Sequence, residues 1–484
     1  MNMLLLEAIW GRLLTAYGIF MCIPLSIAII NRESSIIAFV ASAGLSCFIG
    51  ILFMAHGRIK GRMGAREGFA VVGGAWILAS LFGSFPLYIS GSVNGFIDAF
   101  FETVSGLTTT GASVLSNLES LPGSLLLWRS MTHWIGGMGI IVLFIVLLPN
   151  IGIGAVQLFN AEVPGLMAER LFPKIRDTAM TLWGIYTGFT VLEIILLKVA
   201  GMSFFDAVNH SFATMATGGF STRSASIAAY DSLAIELVIV LFMVIAGVNF
   251  RIYFQVWRKG ALNAFKDTEF KAYILLLSAA TLAITVTLFL QGETGLGTSL
   301  RQAVFQVVSI TTTTGFATAD YDQWPSLAKI ILFFLMFIGG SAGSTAGGIK
   351  VTRVVVLMKM GWAQLRQAIH PRVVVNIVVQ DKSVETVILN TVARFFFLFI
   401  LVFVTASVLL AATGLEPFDA MTAVIATLGN VGPGFGVIGP TATYASITIF
   451  GKIVLSICML LGRLELFTLL VLLQPEFWKL SKKW

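Results

Sequence analysis

The sequence predicts an all-α polytopic membrane protein: a two-helix N-terminal pair followed by four span–pore-helix–span repeats around a pseudo-fourfold pore. Three observations lead to this prediction. Of the 484 residues, 57% are hydrophobic and only 11% are charged, whereas a soluble domain carries roughly 25% charged residues. Apolar segments of about 20 residues recur along the chain, which is the length that a bilayer-spanning helix needs. A block of sixteen residues occurs four times, and an internal repeat of this kind decides the architecture.

The N-terminal pair comes from the first two apolar stretches, which precede the repeated block. Residues 1–30 lack a basic n-region and a small-residue cleavage site, so we expect a first spanning helix rather than a cleaved signal peptide. The three cysteines lie in apolar stretches, which indicates core packing rather than disulfides or metal ligands. The predicted spans are 9–30, 36–54, 68–89, 126–149, 178–200, 233–257, 272–290, 327–349, 388–412 and 446–473.

The repeated block aligns without a gap at residues 97–112, 205–220, 301–316 and 418–433. Each copy is apolar for only about 12 residues, which is too short to cross a bilayer but long enough for a half-helix that enters and returns. Each copy also ends at or beside a glycine. Three columns carry the alignment: alanine at Ala99, Ala207, Ala303 and Ala420; a small residue at Ser105, Ala213, Ser309 and Ala426; and glycine at Gly111, Gly219, Gly315 and Gly432.

The repeating unit is therefore a span, a half-helix, a glycine loop and a second span. The glycines of the third column lie 108, 96 and 117 residues apart, so one unit is about a hundred residues long. The predicted division is an N-terminal pair over residues 1–66 and pore repeats over 67–155, 156–265, 266–372 and 373–484.

Basic residues are concentrated in alternate loops, and the positive-inside rule predicts that these loops are cytoplasmic. The net charge of +7 follows from them and does not indicate nucleic-acid binding. The residues are Arg58, Lys60, Arg62 and Arg66; Arg170, Lys174 and Arg176; Arg251, Arg258, Lys259, Lys266 and Lys271; Lys350, Arg353, Lys359, Arg366, Arg372 and Lys382; and Lys479, Lys482 and Lys483.

The half-helices are then expected on the outer side of the membrane. Acidic residues are more frequent there, and an acidic mouth concentrates cations. These acids are Glu119, Asp231, Glu293, Asp320, Asp322 and Glu416.

The glycine loops have the composition of a carbonyl-lined cation site. Non-helical backbone at membrane depth is tolerated only when it is buried in protein or lines a water-filled cavity. Four loops around one axis meet this condition if their carbonyl groups face the axis, where they can replace the hydration shell of an ion. The loops hold no carboxylate, and the negative C-terminal ends of the half-helices also favour a cation. A single loop of this kind would be an ordinary turn, but four aligned copies indicate a binding site.

A second feature is the run from Gly339 to Lys350, which has five glycines in its first ten residues. Each glycine costs a helix about 1 kcal/mol relative to alanine, so a continuous helix is disfavoured. Two interpretations remain open. The small residues allow close helix packing in a membrane, or the helix is broken into a mobile loop below the glycine loops.

Arg463 is predicted to lie inside the last span, where a charge is expensive and usually faces a cavity or a partner. One interpretation is a buried ion pair with Glu465 or another acid, although residues two apart lie on different faces of a helix. The other is that its guanidinium donates hydrogen bonds to free carbonyls of the broken segment above Lys350 and holds that segment shut.

These features resemble the superfamily of potassium transporters that includes TrkH, KtrB and the plant HKT proteins, and the resemblance covers essentially the whole chain. It includes the four blocks and motifs at 134–139 (WIGGMG), 161–165 (AEVPG), 370–372 (HPR) and 461–467 (LGRLELF). The extra N-terminal pair is more similar to TrkH than to KtrB. The resemblance implies a selectivity filter that binds potassium at Thr109, Thr110, Gly111, Thr217, Gly218, Gly219, Thr313, Thr314, Gly315, Asn430, Val431 and Gly432.

The resemblance also bears on selectivity and gating. None of the four loops reads TVGYG as in tetrameric potassium channels, which implies looser selectivity. Some plant relatives that prefer sodium have serine at the first filter glycine, where this chain has Gly111, and this favours potassium. The glycine run resembles an intramembrane gating loop, with gating residues at Gly343, Gly347, Gly348, Lys350 and Arg463.

The expected function is potassium uptake across the bacterial inner membrane through a channel-like pore with a four-loop filter and an intramembrane gate. An alternative is a proton- or sodium-coupled potassium symporter, which needs a titrating acid in the pathway, and Glu102 is the clear candidate. His133 and His210 could act as proton relays, although local hydrogen bonds are the simpler role. The sequence holds no P-loop, metal-ligand cluster or nucleophile–base pair, so we do not expect an enzyme.

Partners are implied mainly by the resemblance. No nucleotide-binding G-x-G-x-x-G follows a strand, so nucleotide control must come from another subunit. The family implies a cytosolic nucleotide-binding ring resembling TrkA, which would dock on the basic loops and residues 366–372, and a homodimer. Membrane lipid is an expected partner and nucleic acid is not. Potassium is the expected transported substrate, and no bound cofactor is expected.

Overall fold

The computed structural model of the chain is almost entirely helical, which confirms the predicted all-α fold class. Six of the described helices are long and apolar enough to cross a membrane, or up to eight if two bent pairs each count as one span. The chain is therefore a multi-pass membrane protein. The structure describes residues 1–58, 63–139, 142, 175–292, 295–373, 375–379 and 382–479.

The described helices follow the predicted order of an N-terminal part and four units. A short hairpin, β1 (Val378–Val379) with β2 (Lys382–Ser383), precedes the fourth unit. The helices are α1 (Met3–Phe20), α2 (Cys22–Asn31) and α3 (Ile36–His56); α4 (Ala65–Ile89), α5 (Phe96–Leu107) and α6 (Gly123–Gly137); α7 (Ile175–Val199), α8 (Phe204–Met215), α9 (Leu233–Gly247) and α10 (Phe250–Lys259); α11 (Thr268–Leu290), α12 (Leu296–Thr311), α13 (Ser326–Leu335) and α14 (Val351–Ile369); and α15 (Thr386–Ala411), α16 (Pro417–Leu428), α17 (Ile449–Arg463), α18 (Phe467–Leu470) and α19 (Pro475–Trp478).

The N-terminal helices pack through small residues. A side-chain carbon at Gly11 of α1 would lie 2.6 Å from the carbonyl oxygen of Gly50 on α3, so only glycine permits this approach. In lipid there is no hydrophobic driving force between helices, so close van der Waals packing of this kind drives their association instead. The N-terminal helices therefore form a tightly packed layer beside the first unit. Helix α1 contacts α4, the first helix of that unit.

The half-helices predicted from the repeated block are present as α5, α8, α12 and α16, which we call the repeat helices. They have 12, 12, 16 and 12 residues and lie in the interior of the molecule. The alanine column explains how they fit there, because its four members are at most 1% exposed. A larger side chain at these positions would displace a neighbouring helix.

Every boundary between consecutive units, and the boundary between the fourth and the first, is bridged by a charged side chain. Burial makes such contacts costly to break, because the group that remains keeps an uncompensated charge or an unused acceptor. The four contacts are Arg129 with the carbonyl of Ser221 (3.3 Å), Arg301 with Glu236 (2.7 Å), Arg353 with Glu465, and Lys452 with Asp98 (2.7 Å).

The second spans of the first, second and fourth units differ from the prediction, which treated 126–149, 233–257 and 446–473 as continuous, whereas a break within 327–349 was one of two open interpretations. Helices α6, α9 and α17 have 15 residues and α13 has 10, which is too short to cross a bilayer. The chain turns by 92° from α9 into α10, and by 115° after α17. Within the predicted span 126–149, residues 140, 141 and 143–149 lie outside the described residues.

Glycine explains why these helices end where they do. Gly137 and Gly247 are the last residues of α6 and α9, Gly462 is the last but one of α17, and Gly339 follows α13 closely. Glycine weakens a helix, but the residues around each break remain apolar. Hydropathy therefore continued across the breaks and gave no sign of them.

Candidate ion-binding site

The repeat helices all end in the same backbone conformation. We call the segments that follow them the repeat loops: residues 108–111, 216–219, 312–315 and 429–432. The second residue of each loop has a φ between 54° and 57°, and the fourth is a glycine with a φ between 78° and 97°. The backbone N–H of the third loop residue donates a hydrogen bond of 2.8–2.9 Å to the backbone carbonyl of the small residue (Ser105, Ala213, Ser309 or Ala426) in the same repeat helix. This is the pattern of a Schellman cap. Four segments of different sequence thus adopt one geometry.

The second position of the repeat loops carries strain. It holds Thr109, Thr217, Thr313 and Asn430. A positive φ is uncommon for residues other than glycine and is a genuine outlier for β-branched threonine. Such strain persists only where the surrounding structure enforces it, and it concentrates at functional sites.

The repeat loops form a closed ring. A side-chain carbon built on Gly111 would overlap the carbonyl oxygen of Gly218 in the second loop, and the same relation joins each loop to the next. The remaining contacts are Gly219 with the oxygen of Thr314, Gly315 with that of Val431, and Gly432 with that of Thr110, which returns to the first loop. Glycine is therefore required at these four positions for two reasons. The backbone has a positive φ, and a side-chain carbon would overlap a carbonyl oxygen of the next loop.

A cavity of about 140 Å³ lies against the glycine side of this ring. All four column glycines line it, together with residues of the outer connections such as Ser221 and Tyr444. The phenol of Tyr444 donates a hydrogen bond of 2.6 Å to the carbonyl of Gly432 and fixes the fourth loop. The cavity is expected to face the outer solution, because it is built from the outer connections.

The acids of this outer side are partly engaged. The carboxylate of Glu119 accepts hydrogen bonds from the hydroxyl of Ser224 and from the backbone N–H of Ser224 (2.8 Å). These hydrogen bonds hold the pKa of Glu119 below its usual value, so it stays negative at neutral pH. Asp231 lies 3.4 Å from Arg301. Glu293 lies outside the described residues.

The segment Gly339–Lys350, which we call the glycine segment, lies on the other side of the ring. It contains no helix in the structure, as the broken-helix interpretation expected, and the mobility of the segment stays a prediction. The N–H of Gly347 donates to the hydroxyl of Thr313 over 2.7 Å. A side-chain carbon on Gly347 would lie 2.6 Å from the carbonyl oxygen of Gly429. The segment thus contacts the third and fourth repeat loops directly.

Further hydrogen bonds hold the glycine segment against its neighbours. The hydroxyl of Thr345 lies within hydrogen-bond distance of the carbonyls of Met215 (3.0 Å) and Ala246 (3.2 Å). Glu269, near the start of α11, accepts the N–H of Ala342 over 2.7 Å. Lys350 donates its ammonium group to the carbonyl of Ala346 within the segment.

Arg463 joins the glycine segment to the first unit. Its Nη1 donates to the carbonyl of Thr345 (2.7 Å) and to the hydroxyl of Thr109 (3.0 Å). Its Nη2 donates to the carbonyls of Gly136 (2.7 Å) and Gly137, at the end of α6. The expected hydrogen bond to the segment is therefore present. The contacts with Thr109 and α6 were missed, and the GGMG run after α6 was the signal that indicated free carbonyls there.

The position of Arg463 differs from the prediction. It is the last residue of α17 rather than a residue inside a continuous span, and the chain turns sharply after it. Glu465 is not its partner, because Glu465 pairs with Arg353 of α14. The chain turns at Glu465, where φ is 54°.

The predicted gating residues meet at one cavity. A space of about 120 Å³ is lined by Gly343, Gly347, Gly348, Lys350 and Arg463, and also by Glu465. The ring of repeat loops therefore lies between this cavity and the one on its glycine side, and the glycine segment forms part of the wall of this cavity. Sequence reasoning did not single out Glu269, Thr345 or Arg353, which hold this region together.

A family model described as TrkH, cation transport protein, matches residues 35–480. The chain belongs to the TrkH family. Among its relatives are the Trk system potassium uptake proteins TrkH of Escherichia coli, 42% identical over 97% of this chain and 98% of that protein, and of Salmonella typhimurium, 41% identical over the same shares. The crystal structure of the potassium transporter TrkH from Vibrio parahaemolyticus is similar, with a TM-score of 0.89, 37% identity, and coverage of 99% of this chain and all of that one.

Membership of the TrkH family confirms the resemblance inferred from the sequence. The matched relatives are transport proteins rather than enzymes, and potassium is the ion that their family transports. The division into repeats at the predicted boundaries stays a prediction. The motif at 161–165 and the basic residues Lys60, Arg62, Arg170, Lys174, Lys482 and Lys483 lie outside the described residues.

Glu102, the candidate titrating acid, is engaged in a buried ion pair. Its carboxylate accepts from Nε of Arg129 over 2.8 Å, and neither side chain is more than 2% exposed. It also accepts from the hydroxyl of Ser113 (2.9 Å) and the N–H of Val114 (2.8 Å), so it anchors the chain just beyond the first repeat loop. These contacts favour a structural charge over a proton carrier.

Glu193 was overlooked in the sequence, although a carboxylate inside the apolar stretch 178–200 was visible. It is fully buried on α7, and neither of its oxygens has a hydrogen-bond partner within the described residues. The nearby hydroxyl of Thr214 donates instead to the carbonyl of His210 (2.8 Å). An ionisable residue in this setting is a functional candidate by default.

The two buried histidines have local partners. His133 places Nδ1 2.7 Å from the carbonyl of Gly106, and its Nε2 accepts the N–H of Phe220 (3.2 Å). His210 has Nδ1 at 2.8 Å from the carbonyl of Asp206 and Nε2 at 2.9 Å from the hydroxyl of Ser221. Both nitrogens of each ring are occupied, which favours the simpler role.

Replacing Glu102 by glutamine should destabilise the protein strongly. The change leaves the buried guanidinium of Arg129 without its counter-charge, and breaking a buried pair costs about 3–5 kcal/mol. Thermal unfolding in detergent measures the effect. Glu119→Gln, at an exposed position of the outer side, serves as the control and should shift the unfolding temperature little. An unchanged unfolding temperature in Glu102→Gln would contradict the structural role.

Proposed function

We propose that this chain takes up potassium across the bacterial inner membrane through a channel-like pore. The observation that carries this proposal is the closed ring of four repeat loops, in which each column glycine meets a carbonyl of the next loop. A ring of backbone carbonyls can replace the hydration shell of a potassium ion. The names of the relatives, as potassium uptake proteins, support the same ion.

The filter would use backbone carbonyls rather than charged side chains. The repeat loops contain no carboxylate, and the C-terminal ends of four helices converge on them. Those ends carry partial negative charge, which favours a cation without binding it too tightly to leave. The proposed ligands belong to Thr109, Thr110 and Gly111; Thr217, Gly218 and Gly219; Thr313, Thr314 and Gly315; and Asn430, Val431 and Gly432.

The glycine segment would act as the gate. It lies directly below the third and fourth repeat loops and contains Gly343, Gly347, Gly348 and Lys350. Arg463 would hold it in place, because one guanidinium joins the segment, a repeat loop and the end of α6. Its positive charge would also repel a cation that leaves the filter. Opening then requires these hydrogen bonds to break together.

The surroundings of the pore support the expected partners. The C-terminal end of α14 exposes Trp362, Leu365, Arg366 and Ile369, which offers a surface of apolar and basic character to a cytosolic nucleotide-binding ring. A homodimer, the inner bacterial membrane, cytoplasmic basic loops and contact with lipid complete the proposal. The positive-inside rule supports this orientation.

The coupled symporter remains the second candidate, and one observation bears on it. The ion pair with Arg129 makes Glu102 a poor proton carrier, whereas the buried carboxylate of Glu193 has no hydrogen-bond partner among the described residues. A coupled mechanism through this chain would therefore pass through Glu193.

Replacing a column glycine should weaken selectivity. In Gly111→Ser or Gly315→Ser the new side chain meets a carbonyl of the next loop and a φ near +80°. Strain of about 1–3 kcal/mol would displace that carbonyl from the ring. The ratio of Rb⁺ to Na⁺ flux in proteoliposomes should fall several-fold. Gly414→Ser is a matched control, because its φ is +94° but no atom lies within 4 Å. Unchanged ratios in the filter variants would show that these loops are not the filter.

Removing the side chain of Arg463 should open the pore. Arg463→Ala loses hydrogen bonds to four acceptors, each worth about 1.5–3 kcal/mol when the donor is charged. Basal Rb⁺ uptake in proteoliposomes should rise tenfold or more, estimated from that range. Arg463→Lys should open it partly, because a lysine cannot reach several acceptors at once. Arg32→Ala, an exposed arginine, is the control. Parental flux from intact Arg463→Ala protein would leave Arg463 a structural residue only.

Glu193 provides the test between channel and symporter. For a channel, the reversal potential of the parent should follow the potassium gradient alone and should not respond to an imposed pH gradient. Glu193→Gln, which keeps the shape and removes the charge, should behave identically. Asp177→Asn, at an exposed position on the same helix, is the control. A pH-dependent reversal potential that disappears in Glu193→Gln would instead favour the symporter.

A further inference from the structure

Helix α10 (Phe250–Lys259) takes no part in the ring of repeat loops, and it exposes the side chains of Trp257 and Arg258 near its C-terminal end. It leaves α9 at an angle of 92°, so it runs along the membrane plane if α9 is perpendicular to that plane. Its packed face contacts α7: the ring of Tyr253 lies 4.9 Å from that of Phe189. One turn further along the helix Trp257 is 84% exposed, the largest exposed fraction among the large apolar side chains described.

The exposed side chains of Trp257 and Arg258 lie beside the half-buried ring of Phe254. The rings of Phe254 and Trp257 are 6.4 Å apart, and the guanidinium of Arg258 lies 5.7 Å above the ring of Phe254. We call these three residues the α10 patch. Amphipathic tryptophan rings prefer the boundary between headgroups and hydrocarbon, and arginine beside them favours an anionic headgroup.

The contacts of α10 place the patch at the depth of that boundary. The N–H of Phe250 donates to the carbonyl of Gly343 over 3.1 Å. The adjacent N–H of Ala342 donates to Glu269, near the start of α11 (2.7 Å). Because α11 changes there from charged to apolar residues, α10 starts at the level where α11 enters the bilayer. The basic residues around it belong to the side expected to be cytoplasmic.

We propose that the α10 patch binds the anionic lipid surface of the inner leaflet and thereby restrains the glycine segment. Trp257 and Phe254 insert at the hydrocarbon boundary, and Arg258 binds lipid phosphate. Since the first N–H of α10 is bonded to Gly343, a fixed α10 keeps the segment against the repeat loops. The lipid contact stands on its own, whereas the effect on flux rests on the proposed gate.

The first experiment measures the lipid contact without transport. The protein is reconstituted into vesicles that contain brominated phospholipid, which quenches tryptophan fluorescence only on contact. The chain has ten tryptophans, so Trp257→Phe should remove a distinctly quenched component from the emission. Trp362→Phe, which removes another exposed tryptophan (65%) on the expected cytosolic side, should not. An equal loss of quenched and unquenched emission in Trp257→Phe would overturn the proposal.

Other occupants of the patch give different results. If a second copy of the chain covers it, Trp257 becomes shielded from the brominated lipid as the protein-to-lipid ratio rises. If a cytosolic protein docks there, Trp257 instead responds to a water-soluble quencher and not to the lipid. Either result would overturn the proposal.

The second experiment measures the effect on the gate. Basal Rb⁺ flux is compared between vesicles of phosphatidylcholine and vesicles with added phosphatidylglycerol. One basic side chain near an anionic surface changes the binding equilibrium about fivefold, so added phosphatidylglycerol should lower parental flux by a comparable factor. Arg258→Gln should lose this response, and Arg32→Gln, on the side expected to be outer, should keep it.

The outcomes separate this inference from the proposed function. Equal flux in both lipids, with Trp257 in contact with lipid, would overturn the restraint on the gate. Absence of Rb⁺ flux from the parent in every vesicle would overturn the proposed function and the restraint together. The fluorescence experiment would still decide the lipid contact.

Discussion

Polar backbone groups that leave a helix at membrane depth must find partners inside the protein, and this constraint organises the centre of the molecule. The second helices of the units stop early, which frees carbonyls at Gly136, Gly137 and Ala246 among others. Side chains from other units take up these groups: Arg463 bonds to the first two and Thr345 to the third. The glycine segment is itself held by such bonds. The proposed pathway and its proposed closure therefore depend on the same set of backbone groups.

The sequence was most informative where the architecture repeats. Four aligned blocks predicted the repeat helices, their glycine loops and the small residues that pack them, because each copy supports the others. The glycine run also predicted a broken helix, since five glycines act together there. The breaks in the other second spans were missed, because one or two glycines leave the hydropathy apolar. The positions of such breaks depend on local turns of the backbone, and a hydropathy profile does not detect turns whose residues are apolar.

Side-chain partners were harder to predict than elements. Helical geometry correctly argued against a pair between Arg463 and Glu465, but nothing in the sequence pointed to Arg353, which lies 112 positions before Glu465. The carboxylates of Glu102 and Glu193 look alike in the sequence, since each lies in an apolar stretch. Only the packing distinguishes them, because Arg129 reaches one and no cation reaches the other within the described residues. Charge compensation depends on distances between units that a sequence does not contain.

The ring of repeat loops belongs to a single polypeptide, and this has a genetic consequence. In a homotetramer one codon change alters all four quadrants together, whereas here one codon alters one quadrant. Each boundary also uses its own charged side chain and acceptor, so selection can act on each separately. Asymmetry is then inherited stably: within the described chain, the glycine segment is a feature of the third unit alone. Gene duplication followed by divergence could thus add a closure to one quarter of the ring.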